Sequence, residues 1–128
     1  MKLTLAILAA VLLLAGCGHS APNHDPFVGT WQAVGFDPGN GYAISKVSGA
    51  TYRVAEIDHF KQHGSALYSR RGSNELISRP GQLAEQDVIK FNPASGRLTE
   101  TPRGDVGAVL TKVSNSTAPP SPWPTKSP

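Results

Sequence analysis

The chain has 128 residues, and its twelve basic and nine acidic side chains give a formal net charge of +3 at pH 7. Apart from Arg70-Arg71 the basic residues are scattered and form no stripe, which argues against a nucleic-acid-binding protein. A single cysteine, Cys17, excludes an intrachain disulfide and a zinc site built on several thiolates.

The first element in the chain is an apolar segment. Lys2 precedes an uncharged apolar run from Leu3 to Ala15, which is too short for a membrane span of about 20 residues and is typical of a secretory signal. The run ends in Leu14-Ala15-Gly16-Cys17, which resembles the lipobox of bacterial lipoproteins.

That resemblance implies a signal peptide over residues 1–16 and acylation of Cys17, with chains such as palmitate. Two or more acyl chains on one residue anchor a protein durably in a membrane. Gly18 and His19 lack the aspartate that favours retention in the inner membrane, so the resemblance suggests the periplasmic face of the outer membrane.

Composition divides the remaining chain into three regions. Residues 17–25 form the lipidated cysteine and a polar tether, 26–113 the folded domain, and 114–128 a tail rich in proline and serine. Closely spaced prolines prevent a helix or a central strand, so we expect the tail to be extended and mobile. Trp123, inside this tail, is a candidate partner-binding residue.

Turn signals divide the domain at short, regular intervals. Proline, glycine, asparagine and aspartate cluster at 37–41, 48–49, 61–64, 72–74, 80–81, 92–96 and 102–105. Between them, apolar residues alternate, as Phe27, Trp31 and Ala33 do on one face of the first strand. We predict an all-β domain of about eight antiparallel strands, a small up-and-down barrel or, as the alternative, a β-sandwich.

The domain opens with Gly29-Thr30-Trp31, which resembles the opening of lipocalin-like and avidin-like barrels. The resemblance implies that the Trp31 indole closes one end of the barrel. It also implies that a basic side chain near the last strand, for which Lys112 is the nearest candidate, stacks on the indole. Trp31 is therefore expected to be structural.

The acidic and histidine residues do not indicate a metal site or a catalytic site. His59 and His63 beside Asp58 have a helical spacing for a metal but lie next to a predicted turn, so we expect a polar loop and no metal. Glu85 and Asp87 would share one face of a strand, and we expect them on a solvated edge. The chain has no nucleophile elbow, zinc-protease motif or phosphate loop, so we expect neither catalytic residues nor a cofactor.

Tyr68, Arg70 and Arg71 come just before a predicted turn and are candidate partner-binding residues, because arginine and tyrosine are favoured at interfaces. The alternative is a charged edge that discourages strand addition.

Together these features predict a non-enzymatic envelope lipoprotein that binds another envelope protein as an accessory or inhibitory module. The alternative is a lipocalin-like carrier of a small apolar ligand. An eight-stranded barrel has room for its own side chains or one small ligand, and this domain has many large apolar residues. The sequence therefore favours protein binding.

Overall fold

The computed structural model describes residues 25–83, 86–102 and 107–118, which contain eight β-strands. The strands are β1 Gly29–Ala33, β2 Gly41–Ser48, β3 Thr51–Asp58, β4 Lys61–Arg71, β5 Glu75–Ser78, β6 Asp87–Asn92, β7 Arg97–Pro102 and β8 Ala108–Ser114. Each strand pairs antiparallel with its neighbour in the chain, and β8 pairs with β1 to close the barrel. The predicted all-β barrel is confirmed, and the sandwich alternative is wrong.

Three predicted regions lie outside the described residues: the signal peptide with Cys17, most of the polar tether, and the tail beyond Ala118, including Trp123. At the boundary of the predicted tail, β8 runs to Ser114, and the Thr30 hydroxyl donates to the Ser116 carbonyl at 2.8 Å. Within the described part of the chain, no helix is long and apolar enough to cross a membrane.

The barrel interior is packed with large side chains. Its fully buried members include Phe27, Trp31, Ile44, Tyr52, Leu76, Ile89, Leu98 and Leu110. Phe27 precedes β1, and the others come from alternate positions of the strands, as the period-two pattern predicts. A second, smaller cluster joins Ala43, Ala55 and Ile57 on the opposite face of β2 and β3.

One end of the barrel is plugged, and we call it the closed end. It carries Asp25, Phe27, the β2–β3, β4–β5 and β6–β7 turns and the end of β8. The Trp31 indole donates to the Phe27 carbonyl at 2.8 Å, and the predicted stacking partner is present, since Lys112 Nζ lies 4.9 Å from the Trp31 ring centroid. Lys112 also donates to the Val28 carbonyl at 3.0 Å, which ties the entering segment to β8.

The surroundings of Gly29 explain why the opening motif has a glycine at this position. Its φ is +140°, and a Cβ there would lie 2.4 Å from the Ser114 carbonyl oxygen. Only glycine lets β8 approach β1 this closely.

The other end is the open end. It is formed by the β1–β2 loop, the β3–β4 turn and the β5–β6 and β7–β8 connections. One predicted turn is misplaced here, because 61–64 belongs to β4 and the chain reverses at His59 and Phe60.

Candidate functional site

Two adjoining clefts lie at the open end of the barrel. Their volumes are about 280 and 250 Å³, and they share Tyr42, Glu56 and Glu100 as walls. Ala33 and Leu110 line the first, and Tyr68 and Asp87 line the second. Below them the core side chains fill the barrel, so the clefts form a shallow mouth.

The floor of this mouth is a hydrogen-bonded row of polar groups from four strands. The Tyr42 hydroxyl on β2 donates to Glu100 Oε1 on β7 at 2.6 Å. The Tyr68 hydroxyl on β4 donates to Asp87 Oδ2 on β6 at 2.7 Å. The two carboxyl groups thus each accept from one of the two tyrosines. We call Tyr42, Tyr68, Asp87 and Glu100 the polar floor.

Local structure holds Asp87 in place. It is 5% exposed, its backbone N–H donates to the Ser78 hydroxyl at 2.8 Å, and its Oδ1 accepts from the Val88 N–H at 3.0 Å. The expectation of a solvated edge is therefore wrong for Asp87, because a closed barrel has no edge and β6 directs this side chain inward; Glu85 lies outside the described residues.

Glu100 keeps its proton to a higher pH than an ordinary glutamate does. Burial and the hydrogen bond with Asp87 raise the pKa of Glu100 to about 8, although the hydrogen bond from Tyr42 acts in the opposite direction. Burial, followed by the neighbouring carboxyl groups, raises the pKa of both tyrosines above the usual value of 10.0. At pH 7 Glu100 in the polar floor is therefore mostly protonated.

Exposed apolar side chains surround the mouth. Phe36 in the β1–β2 loop is 62% exposed, Phe60 in the β3–β4 turn 52%, and Leu83 in the β5–β6 connection 42%. Phe36 and Leu83 also line the two clefts. Val47, on β2 next to the β2–β3 turn, is the fourth large apolar side chain exposed in the described ranges. We call Phe36, Phe60 and Leu83 the apolar rim.

Backbone strain occurs at the same end. His59 and Phe60 both have positive φ, at 48° and 64°. Histidine is enriched in this region together with asparagine and aspartate, whereas a bulky side chain such as that of Phe60 rarely adopts it. The turn is held by the Phe60 N–H, which donates to the Gly39 carbonyl at 3.0 Å, and by the His59 N–H, which donates to Asn40 Oδ1 at 3.1 Å. Strain that the surrounding structure maintains is found preferentially at binding sites.

No family model, curated protein or solved structure matches this chain. The site must therefore be interpreted from its own geometry.

The sequence-predicted candidates lie in different places. Tyr68 belongs to the polar floor at the open end, whereas Arg70 and Arg71 lie at the closed end, where β4 finishes. Arg70 Nη1 lies 3.6 Å from Asp25 Oδ2, and Arg71 pairs with Glu75. The structure separates the tyrosine from the two arginines, and the role of all three in binding remains a prediction, as does that of Trp123.

The structure does not bring His59 and His63 together at a metal site. His59 Nδ1 lies 2.7 Å from Asp58 Oδ1 in the turn, while His63 is exposed on β4. Among the described residues, no group of three or more histidine, cysteine, aspartate or glutamate side chains is arranged to hold a metal ion.

Sequence reasoning missed Tyr42, Glu56 and Glu100. Glu100 lies two residues after the core residue Leu98, and Tyr42 two residues before Ile44, so the period-two pattern directs them inward. The period-two pattern could have identified Tyr42 and Glu100 as inward-facing. It could not have shown that they are neighbours, because they become adjacent only in the closed barrel.

Proposed function

We propose that this chain is a membrane-anchored envelope lipoprotein whose barrel binds another envelope protein at its open end, as a non-enzymatic accessory or inhibitory module. The observation that carries the proposal is the coincidence, at one end, of the apolar rim, the polar mouth and a strained turn. Interfaces combine exposed aromatic side chains with a few buried polar anchors in this way.

The chemistry of the mouth defines what the partner presents. Its walls supply the Asp87 and Glu100 carboxyl groups and, on the exposed side, Glu56. A lysine or arginine side chain entering the mouth would find charge-assisted acceptors and would displace the proton held by Glu100. A basic side chain of the partner, flanked by apolar residues against the rim, fits both features.

Carriage of a small apolar ligand is less well supported. Leu76, Ile89 and Leu98 are fully buried and occupy the space that such a ligand would need. The clefts that remain are below or at the lower end of the volumes usual for ligand pockets and are lined by carboxyl groups.

Anchoring completes the proposal. Cys17, acylated after removal of residues 1–16, would hold the barrel at the membrane, on the periplasmic face of the outer membrane. The tail with Trp123 would then act as a spacer or as a second contact for the partner.

Site-specific photo-crosslinking in intact cells tests the proposal. Benzoylphenylalanine replaces Phe36 or Phe60 on the rim, and Val47, also exposed but next to the β2–β3 turn, is the matched control position. We expect one discrete adduct from both rim positions and none from Val47, with a weaker adduct when Glu100→Gln and Asp87→Asn are added.

Equal adducts from rim and control, or an adduct only from Val47, would contradict the open end as the binding face. Each variant is first checked by circular dichroism, so that a loss of adduct is not confused with a loss of fold.

A further inference from the structure

The charged side chains of the barrel are segregated between its two ends. We call the half of the barrel next to the closed end the closed half, and the other the open half. The closed half carries six exposed cations, which we call the basic face: Lys46, Arg53, Arg71, Arg79, Lys90 and Arg97. Among the described residues, the open half carries the acidic side chains Asp37, Glu56, Asp58 and Asp87 against one lysine, Lys61. Glu100 lies at the same end but is mostly uncharged at pH 7, because its pKa is about 8.

Local ion pairs do not neutralise the positive charge of the basic face. The acidic groups among the described residues of the closed half are Asp25 and Glu75, whose side chains are 14% and 20% exposed. Arg71 and Lys90 share Glu75, and Lys46 shares Asp25 with the half-buried Arg70. The Arg71 and Lys90 side chains remain 61% exposed, so their charges face solvent.

Arg79 belongs to this face through its contacts. Although it follows β5, its guanidinium donates to the Ser69 hydroxyl at 3.1 Å and to the Thr51 hydroxyl at 2.6 Å. Thr51 begins β3, directly after the β2–β3 turn of the closed end. The guanidinium is thereby held toward the closed end.

The path of the chain brings the same end closest to the lipid. Asp25 lies at the closed end, where its carboxylate accepts from the Tyr52 hydroxyl. It lies eight positions after Cys17 in the sequence, a distance of at most about 28 Å when the chain is fully extended. A tether of this length would let the closed end reach the membrane surface.

We infer that the basic face docks on an anionic phospholipid surface, so that the barrel stands with its closed end on the membrane and its open end directed away. The inference rests on the proposed acyl anchor at Cys17. Each lysine or arginine near an anionic bilayer strengthens attachment about fivefold, and the acidic open end is repelled by the same surface. Such attraction acts only within a Debye length, so contact is needed.

The test uses the mature acylated protein in vesicles of phosphatidylcholine, with and without one part in four of phosphatidylglycerol. Because Cys17 is acylated, a new cysteine is the only free thiol: Ser73→Cys in the β4–β5 turn of the closed end, or Pro38→Cys in the β1–β2 loop of the open end. A fluorophore on each reports quenching by a headgroup spin label, and flotation reports anchoring.

We expect flotation with both vesicle types, and stronger quenching at Ser73→Cys than at Pro38→Cys, by about threefold, only with phosphatidylglycerol and at low salt. Arg53→Gln with Arg97→Gln should abolish the difference, whereas the open-end control Lys61→Gln should keep it. Unchanged thermal unfolding confirms that each variant is folded.

Two results would overturn the inference, and they are distinguishable. Flotation with equal quenching at both labels contradicts the orientation while leaving the anchor intact. Loss of flotation from both vesicle types contradicts the anchor of the proposed function and removes the geometry on which the orientation depends.

Discussion

At the level of single residues, Trp31 holds the closed end through several contacts: its ring is fully buried, its indole N–H donates to Phe27, and Lys112 stacks on it. Trp31→Ala should therefore lower the free energy of unfolding by about 3 to 5 kcal/mol, a large share of a small domain's stability. Urea unfolding of the mature chain measures it. A loss below about 1 kcal/mol would show that the plug is not needed.

Lys112→Met is the matched control, because it keeps an apolar stem of similar length and removes the charge over the indole. We expect a smaller loss, of about 1 to 2 kcal/mol, from the cation–π contact and the hydrogen bond to the Val28 carbonyl together.

Glu100 makes the stability of the barrel depend on pH. Its folded pKa of about 8 lies above the ordinary value of 4.5, so between these pH values the folded chain binds more protons than the unfolded chain. The free energy of unfolding should consequently fall as pH rises through this window and level off above it. With allowance for partial exposure, the fall is on the order of 2 kcal/mol.

Glu100→Gln, which cannot ionise, should remove this fall and make the barrel more stable than the wild type at pH 9. Glu56→Gln, on the exposed side of the same mouth, should keep it. Urea unfolding at a series of pH values gives the comparison, and an unchanged slope in Glu100→Gln would contradict the assignment of the proton.

The burial and contacts of single residues could be predicted where the local sequence pattern was sufficient. The alternation of Phe27, Trp31 and Ala33 identified a buried face, and the opening motif identified Lys112 as the partner of Trp31. The polar floor was not predictable, because Tyr42, Tyr68, Asp87 and Glu100 come from four strands and become neighbours only through their register around the barrel.

At the level of elements, the β3–β4 turn shows where turn signals mislead. Gly64 predicted a turn at 61–64, but the chain reverses at His59 and Phe60, although the bulky Phe60 does not favour positive φ. Tertiary contacts select this turn: the Phe60 ring lies against Gly39, where an added Cβ would be 2.7 Å from the ring, and Asn40 accepts from the His59 N–H. Such contacts are invisible in local composition.

Replacing the turn residues together, as His59→Asn with Phe60→Gly, should relieve the strain. Asparagine and glycine favour a two-residue turn with positive φ, so we expect a gain of about 1 to 2 kcal/mol and a rise in melting temperature. Phe60→Ala is the control, since it removes the ring but leaves the strain. If the double variant is no more stable than Phe60→Ala, the turn is not strained.

At the level of the whole molecule, the barrel has two ends of opposite charge and different packing. The eight-stranded barrel followed from the regular spacing of turn signals, but the separation of charge between its two ends could not be read from the sequence. That separation depends on which strand positions face outward at which end.

The proposed lipid anchor at Cys17 determines where the whole molecule is located. Cys17→Ser should leave the chain unacylated and shift it from the membrane fraction to a soluble or unprocessed form, since no thiol remains to carry lipid. Mass spectrometry and fractionation measure the change. Unchanged mass, processing and membrane association would contradict acylation at this residue.

The claim that the polar mouth receives a basic side chain is tested most directly by NMR titration of the mature chain with N-acetyl-lysine amide, with N-acetyl-norleucine amide as the neutral control. Lysine should shift resonances of Tyr42, Tyr68 and Glu100, more strongly above pH 8 than below it, because binding displaces the Glu100 proton; norleucine should not. Equal shifts with both compounds, or lysine shifts confined to the closed end, would contradict the account.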